Sequence, residues 1–365
     1  LDNRPVVVLS NNDGCIISRS DEAKKLGVEM AGPYFKAKPL IEKYNVATFS
    51  SNYNLYGNLS WRVMETLRIV MGAENVEVYP VDEAFLNLDG FATENLQQIG
   101  INIRETVEQW TGIKVSVGVA PTKGLSKVAN RLAKKHKLAT GCVLVLDTRE
   151  KINKALQDTP IGEVWGVGRQ YAQKLMDMNA VFTAFDLTKK TEEWANKNLG
   201  GVVGVRLIKE LNGKPANTMK EELTVKKMIT TTRMFGSPVK NINDIKEAIA
   251  TYTSRSAEKL RKQQSAANII SVFVVPKEQN YNPYFRHEPT ISSYVTLPIA
   301  TSATNELIKP ALKLIDKLYE HGRLYKKAGV MLSGLVPDAN IQGNLFVPNL
   351  NNDKRMLMSM LDNVN

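Results

Sequence analysis

The 365-residue chain contains few side chains suited to disulfide or zinc sites, and it lacks long apolar runs. Its two cysteines, Cys15 and Cys142, are far apart, and it has three histidines. This spacing argues against a disulfide framework and favours a reducing compartment, while so few Cys and His weigh against a zinc site. No run of about 18 apolar residues is present, so the sequence predicts no membrane span. The chain opens with Leu-Asp-Asn-Arg rather than with Met or a signal peptide, which suggests a fragment.

Positive charge is abundant and unevenly distributed. The formal net charge is +11, and residues 224–335 contain 17 Lys or Arg against 8 Asp or Glu, so this segment holds most of the surplus. Proteins this basic often bind nucleic acid, although ribosome-associated and lipid-surface proteins share the property. The length suggests two to four domains.

Hydrophobic periodicity predicts alternating strands and helices up to about residue 150, an order typical of an α+β domain with its helices on one sheet face. The predicted strands cover residues 5–9, 15–17, 77–88, 114–120 and 143–146, and the predicted helices cover residues 20–27, 55–71, 94–110 and 121–136. Ser20 is suited to cap the first helix and Gly27 to end it.

Two further units follow. Residues 151–219 are predicted to be helical, with interruptions at glycines. Residues 220–335 are predicted to form a β-α-β-β-α-β unit. Its strands cover 228–234, 268–275, 291–297 and 327–334, and its helices cover 243–263 and 303–321. The polar remainder, from residue 336, is predicted to be a mobile tail.

The sharpest chemical signal is Asp82-Glu83, two adjacent carboxylates in the otherwise apolar octapeptide YPVDEAFL at residues 79–86. Adjacent side chains on a strand point to opposite faces, so one carboxylate faces the core unless the backbone turns there. Burying ionised carboxylates is costly without a cation. Mg²⁺ prefers such oxygen ligands, and a pair of ions activates both ends of an in-line phosphoryl transfer. The competing interpretation is a solvated Asp-Glu pair at a strand end.

A Gly-x-Gly turn, Gly166-Val167-Gly168, precedes Arg169 and a helical pattern. Such a turn exposes the backbone N–H groups of a helix N-terminus to a phosphate. By itself a Gly-x-Gly turn is more often a plain tight turn, so the interpretation depends on its position between two predicted domains.

The tail contains the pentapeptide QGNLF at residues 342–346. Two apolar side chains closely following a Gln fit an anchor-in-pocket contact, in which Leu345 and Phe346 are buried and Gln342 makes polar contacts. Two stray apolar residues in a linker are the alternative interpretation.

Several motifs together resemble the Y-family translesion DNA polymerases of the UmuC type. They are DEAF at residues 82–85, VSVGVAPTKGLSKVAN at 115–130, PVVVLSNNDGC at 5–15 and FSSNY at 49–53. The resemblance covers essentially the whole chain and implies an α+β fold shaped like a right hand. The implied domains are fingers at 1–54, a palm at 55–150, a helix-hairpin-helix thumb at 151–219, a little finger at 223–335 and a tail with a clamp-binding motif at 336–365.

The resemblance also implies roles for individual residues. Asp82 and Glu83 correspond to catalytic carboxylates that bind two Mg²⁺ ions. Ser18, Lys24 and Lys134 are implied to contact the incoming triphosphate, and Cys15 and Ile17 to cover the nascent base pair. The implied DNA contacts are Gly166, Gly168 and Arg169. The implied clamp contacts are Gln342, Leu345 and Phe346. A lysine supplies a point charge to phosphate, although Lys134 equally fits a solvated helix face.

The basic segment is expected to grip the DNA backbone without reading its sequence. Its first predicted strand and the residues just after it offer Thr230, Thr231, Thr232, Arg233 and Lys240 to phosphates.

The function implied by the resemblance is template-directed nucleotidyl transfer past damaged DNA, as part of bacterial SOS mutagenesis and DNA repair. The implied partners are primer-template DNA, a deoxynucleoside triphosphate (dNTP), the β sliding clamp, a UmuD′-type dimer and the RecA filament. The expected location is the cytoplasm, at the nucleoid, with no membrane partner.

The first palm strand of this family carries an Asp and an aromatic steric gate, and it is expected just before Pro5. The chain begins at Leu1, so this strand is absent from it. A two-metal site needs carboxylates from two strands, so the chain as written is expected to be inactive. Two functions therefore stay open: a translesion polymerase, and a non-catalytic platform that binds DNA and the clamp.

Overall fold

The computed structural model describes residues 3–10, 12–219, 226–277 and 289–343, together with residues 358, 360 and 362. The chain divides into two compact units, one formed by Leu1–Ser51 with Leu223–Asn365 and the other by Asn52–Glu222. In the described ranges, no helix combines the length and the apolar character that crossing a membrane requires.

The N-terminal segment forms a three-stranded sheet with two helices. Its elements are β1 Val6–Leu9, β2 Ile16–Arg19, α1 Asp21–Lys25, α2 Tyr34–Lys43 and β3 Ala47–Ser50. Strand β1 is central, antiparallel to β2 and parallel to β3. The Ser20 hydroxyl accepts a hydrogen bond from the Ala23 N–H (3.2 Å), and Gly27 has a φ of +87° just after α1. The predicted start and end of this helix are therefore confirmed, whereas the sequence patterns had not indicated α2 or β3.

The second unit begins with short strands and long helices. Its first elements are α3 Tyr53–Met71, β4 Val76–Val78, β5 Ala84–Leu86, α4 Leu96–Thr111, β6 Val117–Val119, α5 Lys123–Lys135, α6 Lys137–Thr140 and β7 Val143–Val145. Strands β4 and β5 form an antiparallel pair, and β6 and β7 form a parallel pair. Helices α3 and α4 share a small core that contains Leu67, Met71 and Ile103.

The prediction of one continuous strand over residues 77–88 is wrong. Residues 79–83 form a tight turn between β4 and β5, closed by a hydrogen bond from the Tyr79 N–H to the Glu83 carbonyl (3.0 Å). Pro80 lacks an N–H and cannot extend a strand ladder. The alternating pattern of this segment therefore belongs to two arms of a hairpin, and Asp82 and Glu83 lie at its tip.

The rest of the second unit is helical, as predicted. It contains α7 Arg149–Gln157, α8 Arg169–Asn179, α9 Ala184–Thr188, α10 Glu192–Asn198 and α11 Val202–Leu211. These helices share one hydrophobic core with α5, built around Leu125, Leu156, Leu175 and Leu211. This core therefore holds α5 on one side.

Residues 226–337 form the predicted β-α-β-β-α-β unit. Its elements are β8 Ile229–Val239, α12 Ile242–Lys262, β9 Ser265–Pro276, β10 Ile291–Thr301, α13 Thr304–Leu318 and β11 Tyr325–Pro337. The sheet order is β10-β9-β11-β8, with every neighbouring pair antiparallel. Each β-α-β crossover spans one intervening strand, so α12 and α13 both cover one face of the sheet. The tail prediction falls largely on residues outside the described ranges.

Candidate functional site

Asp82 and Glu83 are exposed at the tip of the β4–β5 hairpin. The turn lets both side chains leave the core, so neither carboxylate bears the cost of burial that a continuous strand would impose. The arms hold the tip in place, because Val78 pairs with Ala84 and the Phe85 side chain is buried.

A lysine of α5 binds the second carboxylate. The Lys127 Nζ atom lies 2.5 Å from Glu83 Oε2. The same ammonium lies 4.9, 5.2 and 5.6 Å from the ring centroids of Tyr79, Phe85 and Trp165. These three rings contact one another with centroids 5.5 to 5.8 Å apart. We call them the aromatic box. The sequence had not singled out Lys127, although Lys123 and Lys127 stand one helical turn apart in the motif that carries the family resemblance.

A second ion pair stabilises the hairpin at its first strand, β4. Glu77 of β4 is buried and pairs with Lys123. The Lys123 ammonium also donates to the Thr218 carbonyl (2.9 Å) and lies 4.8 Å from the Phe85 ring centroid. Two lysines of α5 thus hold two successive carboxylates of the hairpin, one buried and one exposed.

The hairpin offers oxygen ligands of the kind that Mg²⁺ prefers. Glu83 already binds a cation, the Lys127 ammonium, so its carboxylate suits an ion. The described part of the chain contains no group of three or more His, Cys, Asp or Glu that could hold a metal. Asp82 and Glu83 therefore fit Mg²⁺ in chemistry, and they supply two ligand side chains.

The residues expected to contact the triphosphate fall in both units. Lys134 is exposed near the C-terminal end of α5, two turns beyond Lys127. In the other unit, Ser18 lies on β2, and the Lys24 ammonium pairs with Asp21 (2.9 Å), both side chains about half exposed. Asp21 thus has a local partner, which the sequence did not reveal.

The residues expected to roof the base pair lie side by side at the start of β2. Cys15 is half-buried and forms an isolated bridge with Pro33, and the Ile17 side chain is 40 % exposed. Between them, Ile16 is fully buried, so the alternation of the strand turns both toward the opposite side.

The Gly-x-Gly turn lies at the N-terminus of α8. Gly166 has a φ of +92°, a conformation in which a residue with a side chain would be strained, and Gly168, the residue just before α8, provides no side-chain cap. Arg169 is exposed in the first helical turn. The first N–H groups of α8 are therefore not occupied by a capping side chain. Trp165, directly before the turn, belongs to the aromatic box.

The residues on β8 separate onto two faces of the sheet. Ile229 lies in the core beneath the helices, and the Thr231 hydroxyl accepts a hydrogen bond from Ser256 of α12 (2.7 Å). Thr230 and Thr232 alternate with them and face away from the helices. A Cβ placed on Gly329 would meet both Thr232 and the Phe273 ring, which puts these residues on the same open face.

Arg233 lies on the helix side of β8. Burial raises the pKa of Tyr252 on α12, and the positive charge of Arg233 opposes this rise. The Arg233 Nε donates to the Asn12 side-chain oxygen, and the Asn12 amide donates to the Met234 carbonyl (3.1 Å). Arg233 therefore ties β8 to the β1–β2 turn. Lys240 is exposed between β8 and α12.

The tail motif is described in part. Gln342 is exposed. Leu345 and Phe346, the expected clamp anchors, lie outside the described residues.

Comparison with known proteins identifies the family. A family model described as "impB/mucB/samB family" matches residues 1–131, and the model of its C-terminal domain matches residues 226–345. Protein UmuC of Salmonella typhimurium is 39 % identical, with 99 % of this chain and 85 % of the relative covered. DNA polymerase IV of Desulfatibacillum aliphaticivorans is 27 % identical, with 97 % and 85 % covered.

The fold is also that of a solved polymerase. The "Y-family DNA polymerase chimera Dbh-Dpo4(243-245)-Dbh" has a TM-score of 0.72 and 20 % identity, with 92 % of this chain and 93 % of that chain covered. This likeness shows the fold alone. Because the two family models together match well over half of the sequence and the similarity to UmuC extends along nearly all of it, the chain belongs to the impB/mucB/samB family.

Proposed function

We propose that this protein is a DNA-directed DNA polymerase that inserts nucleotides opposite damaged template bases. The observation that carries the proposal is the exposed Asp82-Glu83 pair on a hairpin tip, in a chain of the UmuC family. An exposed carboxylate pair beside lysines suits the binding of divalent cations and phosphates.

In the proposed mechanism, Asp82 and Glu83 would hold the Mg²⁺ that serves attack of the primer 3′-OH on the α-phosphorus of a dNTP. When bound, the two ions neutralise charge on the phosphates and favour the attacking oxygen. Lys24 and Lys134 bind the triphosphate as point charges, and Ser18 adds a hydroxyl contact.

The remaining parts of the chain bind and position DNA. We assign fingers to residues 1–54, a palm to 55–150, a thumb to 151–219 and a little finger to 223–335. In this scheme Cys15 and Ile17 cover the nascent base pair, and the uncapped start of α8 at Gly168 and Arg169 binds a backbone phosphate.

The little finger is proposed to lay the open face of its sheet against the duplex. Thr230 offers a hydroxyl on this face, and Lys327 lies there above the Phe273 ring, 5.9 Å from its centroid. Arg233, on the helix side of the edge strand β8, and Lys240, between β8 and α12, add positive charge near the sheet. Thr231 and Thr232 are weaker candidates, because Thr231 faces α12, where it accepts from Ser256, and the Thr232 hydroxyl donates to the Ala328 carbonyl (2.9 Å).

The partners proposed beyond DNA follow from the family. The pentapeptide at residues 342–346 is proposed to bind the β sliding clamp. A UmuD′-type dimer and the RecA filament are proposed as accessory partners in SOS mutagenesis.

Template-directed incorporation tests the proposal. A protein that includes the first palm strand of the family is incubated with a primer-template, one dNTP at a time, with and without Mg²⁺. We expect extension only by the nucleotide complementary to the template base, and only with the metal. Incorporation that ignores the template base would contradict a polymerase function.

The second candidate is the non-catalytic platform that binds DNA and the clamp. The small ligand set favours it, since no three metal-ligating side chains gather in the parts of the chain that the structure describes. The same experiment separates the two functions, because a platform retains DNA binding in a fluorescence anisotropy assay and shows no metal-dependent extension.

A further inference from the structure

Lys127 has two kinds of partner at the same time. Its ammonium is 2.5 Å from the Glu83 carboxylate and within 6 Å of all three ring centroids of the aromatic box. The Lys127 side chain is 16 % exposed, whereas that of Glu83 is 44 % exposed. The lysine is therefore largely enclosed, and the carboxylate it binds is open to solvent.

The two partners differ in how firmly they are held. The rings are fixed by contacts with one another, and Phe85 is buried. The backbone of Lys127 is fixed as well, because α5 is capped by Thr122 and its Gly124 N–H is bound by the buried Glu210. The Glu83 side chain, at the tip of the turn, has more freedom than either.

We propose that Lys127 holds the position of a divalent cation at Glu83 and withdraws onto the aromatic box when Glu83 binds such an ion. This inference rests on the proposed function, in which Asp82 and Glu83 are the metal-binding pair. The box provides the electron-rich ring faces that attract an ammonium. Repulsion between the ammonium and a dication beside it drives the withdrawal.

This exchange makes Lys127 a positioning residue. In the ion-free protein the Lys127 ammonium pairs with the Glu83 carboxylate, and it orients the Glu83 side chain for the incoming ion. Trp165 belongs to the aromatic box and directly precedes Gly166 in the turn before α8. A movement of the Lys127 ammonium therefore changes the surroundings of a residue next to this turn. The indole of Trp165 is a built-in reporter of the exchange.

The test compares Lys127→Met with Lys135→Met. Both changes remove one positive charge from α5, and the exposed Lys135 lies two helical turns from Lys127. Lys127→Gln serves as a second variant, and far-UV circular dichroism verifies that each variant is folded. Mn²⁺ binding is measured directly from the electron paramagnetic resonance of the free ion.

We expect Lys127→Met and Lys127→Gln to bind Mn²⁺ about tenfold more tightly than the wild type, from the repulsion of a dication and an ammonium about 5 Å apart in a water-like dielectric. Lys135→Met should stay within about twofold, since screening weakens its more distant charge. Equal or weaker binding by both Lys127 variants would overturn the proposal.

The second readout is the emission of Trp165 in a chain whose other tryptophans, Trp61, Trp110 and Trp194, are replaced by Phe. Mg²⁺ should change this emission when Lys127 is present and leave it unchanged in Lys127→Met. An identical response in both would show that the lysine does not move, and it would refute the exchange alone. Mn²⁺ binding that is undetectable in the wild type, or unaffected by Asp82→Asn, would instead refute the ion site of the proposed function, and the role of Lys127 with it.

Discussion

Glu210 is a buried carboxylate whose removal should destabilise the unit that carries the hairpin and α5. Its side chain is almost completely buried and accepts three backbone hydrogen bonds: from Gly124 at 2.8 Å, from Ala216 at 2.7 Å and from Asn217 at 2.9 Å. Three backbone donors therefore converge on the two oxygens of one side chain. Glu210 thereby connects the start of α5, which presents Lys127, to the segment after α11.

Glu210→Ala leaves these three N–H groups without their partner. At about 1 kcal/mol or more for each lost bond, the free energy of unfolding should fall by about 3 kcal/mol or more. For a unit of this size, such a loss lowers the midpoint of thermal unfolding by about 10 °C. Glu210→Gln retains one acceptor oxygen and presents an NH₂ group to the other donors, so it should cost about half as much.

Tryptophan fluorescence measures this loss selectively. All four tryptophans lie in the Asn52–Glu222 unit, so their emission during urea or thermal unfolding reports that unit alone. The matched control is Glu192→Ala, which removes an exposed ion pair with Lys209 (3.2 Å) and should cost about 0.5 kcal/mol or less. If Glu210→Ala shifted the midpoint no more than Glu192→Ala, the role assigned to the buried carboxylate would be refuted.

Three further predictions concern DNA, the clamp and the C-terminal segment. Replacing Arg233 and Lys240 by Gln should lower the slope of log affinity against log salt by about 1 to 2 for primer-template DNA, measured by fluorescence anisotropy; an unchanged slope would place the DNA elsewhere. Replacing Leu345 and Phe346 by Ala should cost about 2 kcal/mol or more for each anchor and abolish clamp binding in surface plasmon resonance, with DNA affinity retained. Hydrogen bonding to an arginine of α12 lowers the pKa of Asp362, so this contact stabilises above the ordinary Asp pKa and is lost as the pH falls through the lowered value. A carboxyl NMR titration should give a midpoint below 3.8 for Asp362, and a midpoint at or above this value would contradict the contact.

Much of the fold could be predicted because the signals are local. The strands β9 and β11 are long and apolar, and α12 and α13 follow the helical period, so the β-α-β-β-α-β order was readable from periodicity alone. The cap of α1 at Ser20 could likewise be predicted from residues close in sequence.

The hairpin at Asp82 and Glu83 could not be predicted in this way. Its two arms alternate like one strand, and Pro80 was the single signal of a turn. The side chain that binds Glu83 lies 44 residues further along the chain, on α5. Such pairing depends on how α5 packs, and periodicity within either segment carries no information about it.

The contacts of Glu210 and Arg233 could not be predicted from the sequence for the same reason. Glu210 reads as a polar position in an amphipathic helix, yet it binds the Gly124 N–H, 86 residues earlier. Arg233 reads as a DNA-binding residue on a basic strand, yet in the structure it binds Asn12. Charge counts locate basic segments, whereas the partner of each charge is set by tertiary packing.

Single-turnover nucleotide insertion shows whether Asp82 and Glu83 form the catalytic pair. Asp82→Asn and Glu83→Gln, made in a protein that includes the first palm strand of the family, keep the size of each side chain and remove its charge. With saturating primer-template, dNTP and Mg²⁺, we expect the insertion rate of each variant to fall by at least about two orders of magnitude, because both ligands position and neutralise the reacting phosphates. DNA affinity should stay within about twofold of the wild type, since the proposed grip lies in the thumb and little finger. Insertion by both variants at the wild-type rate would show that Asp82 and Glu83 are not the catalytic pair.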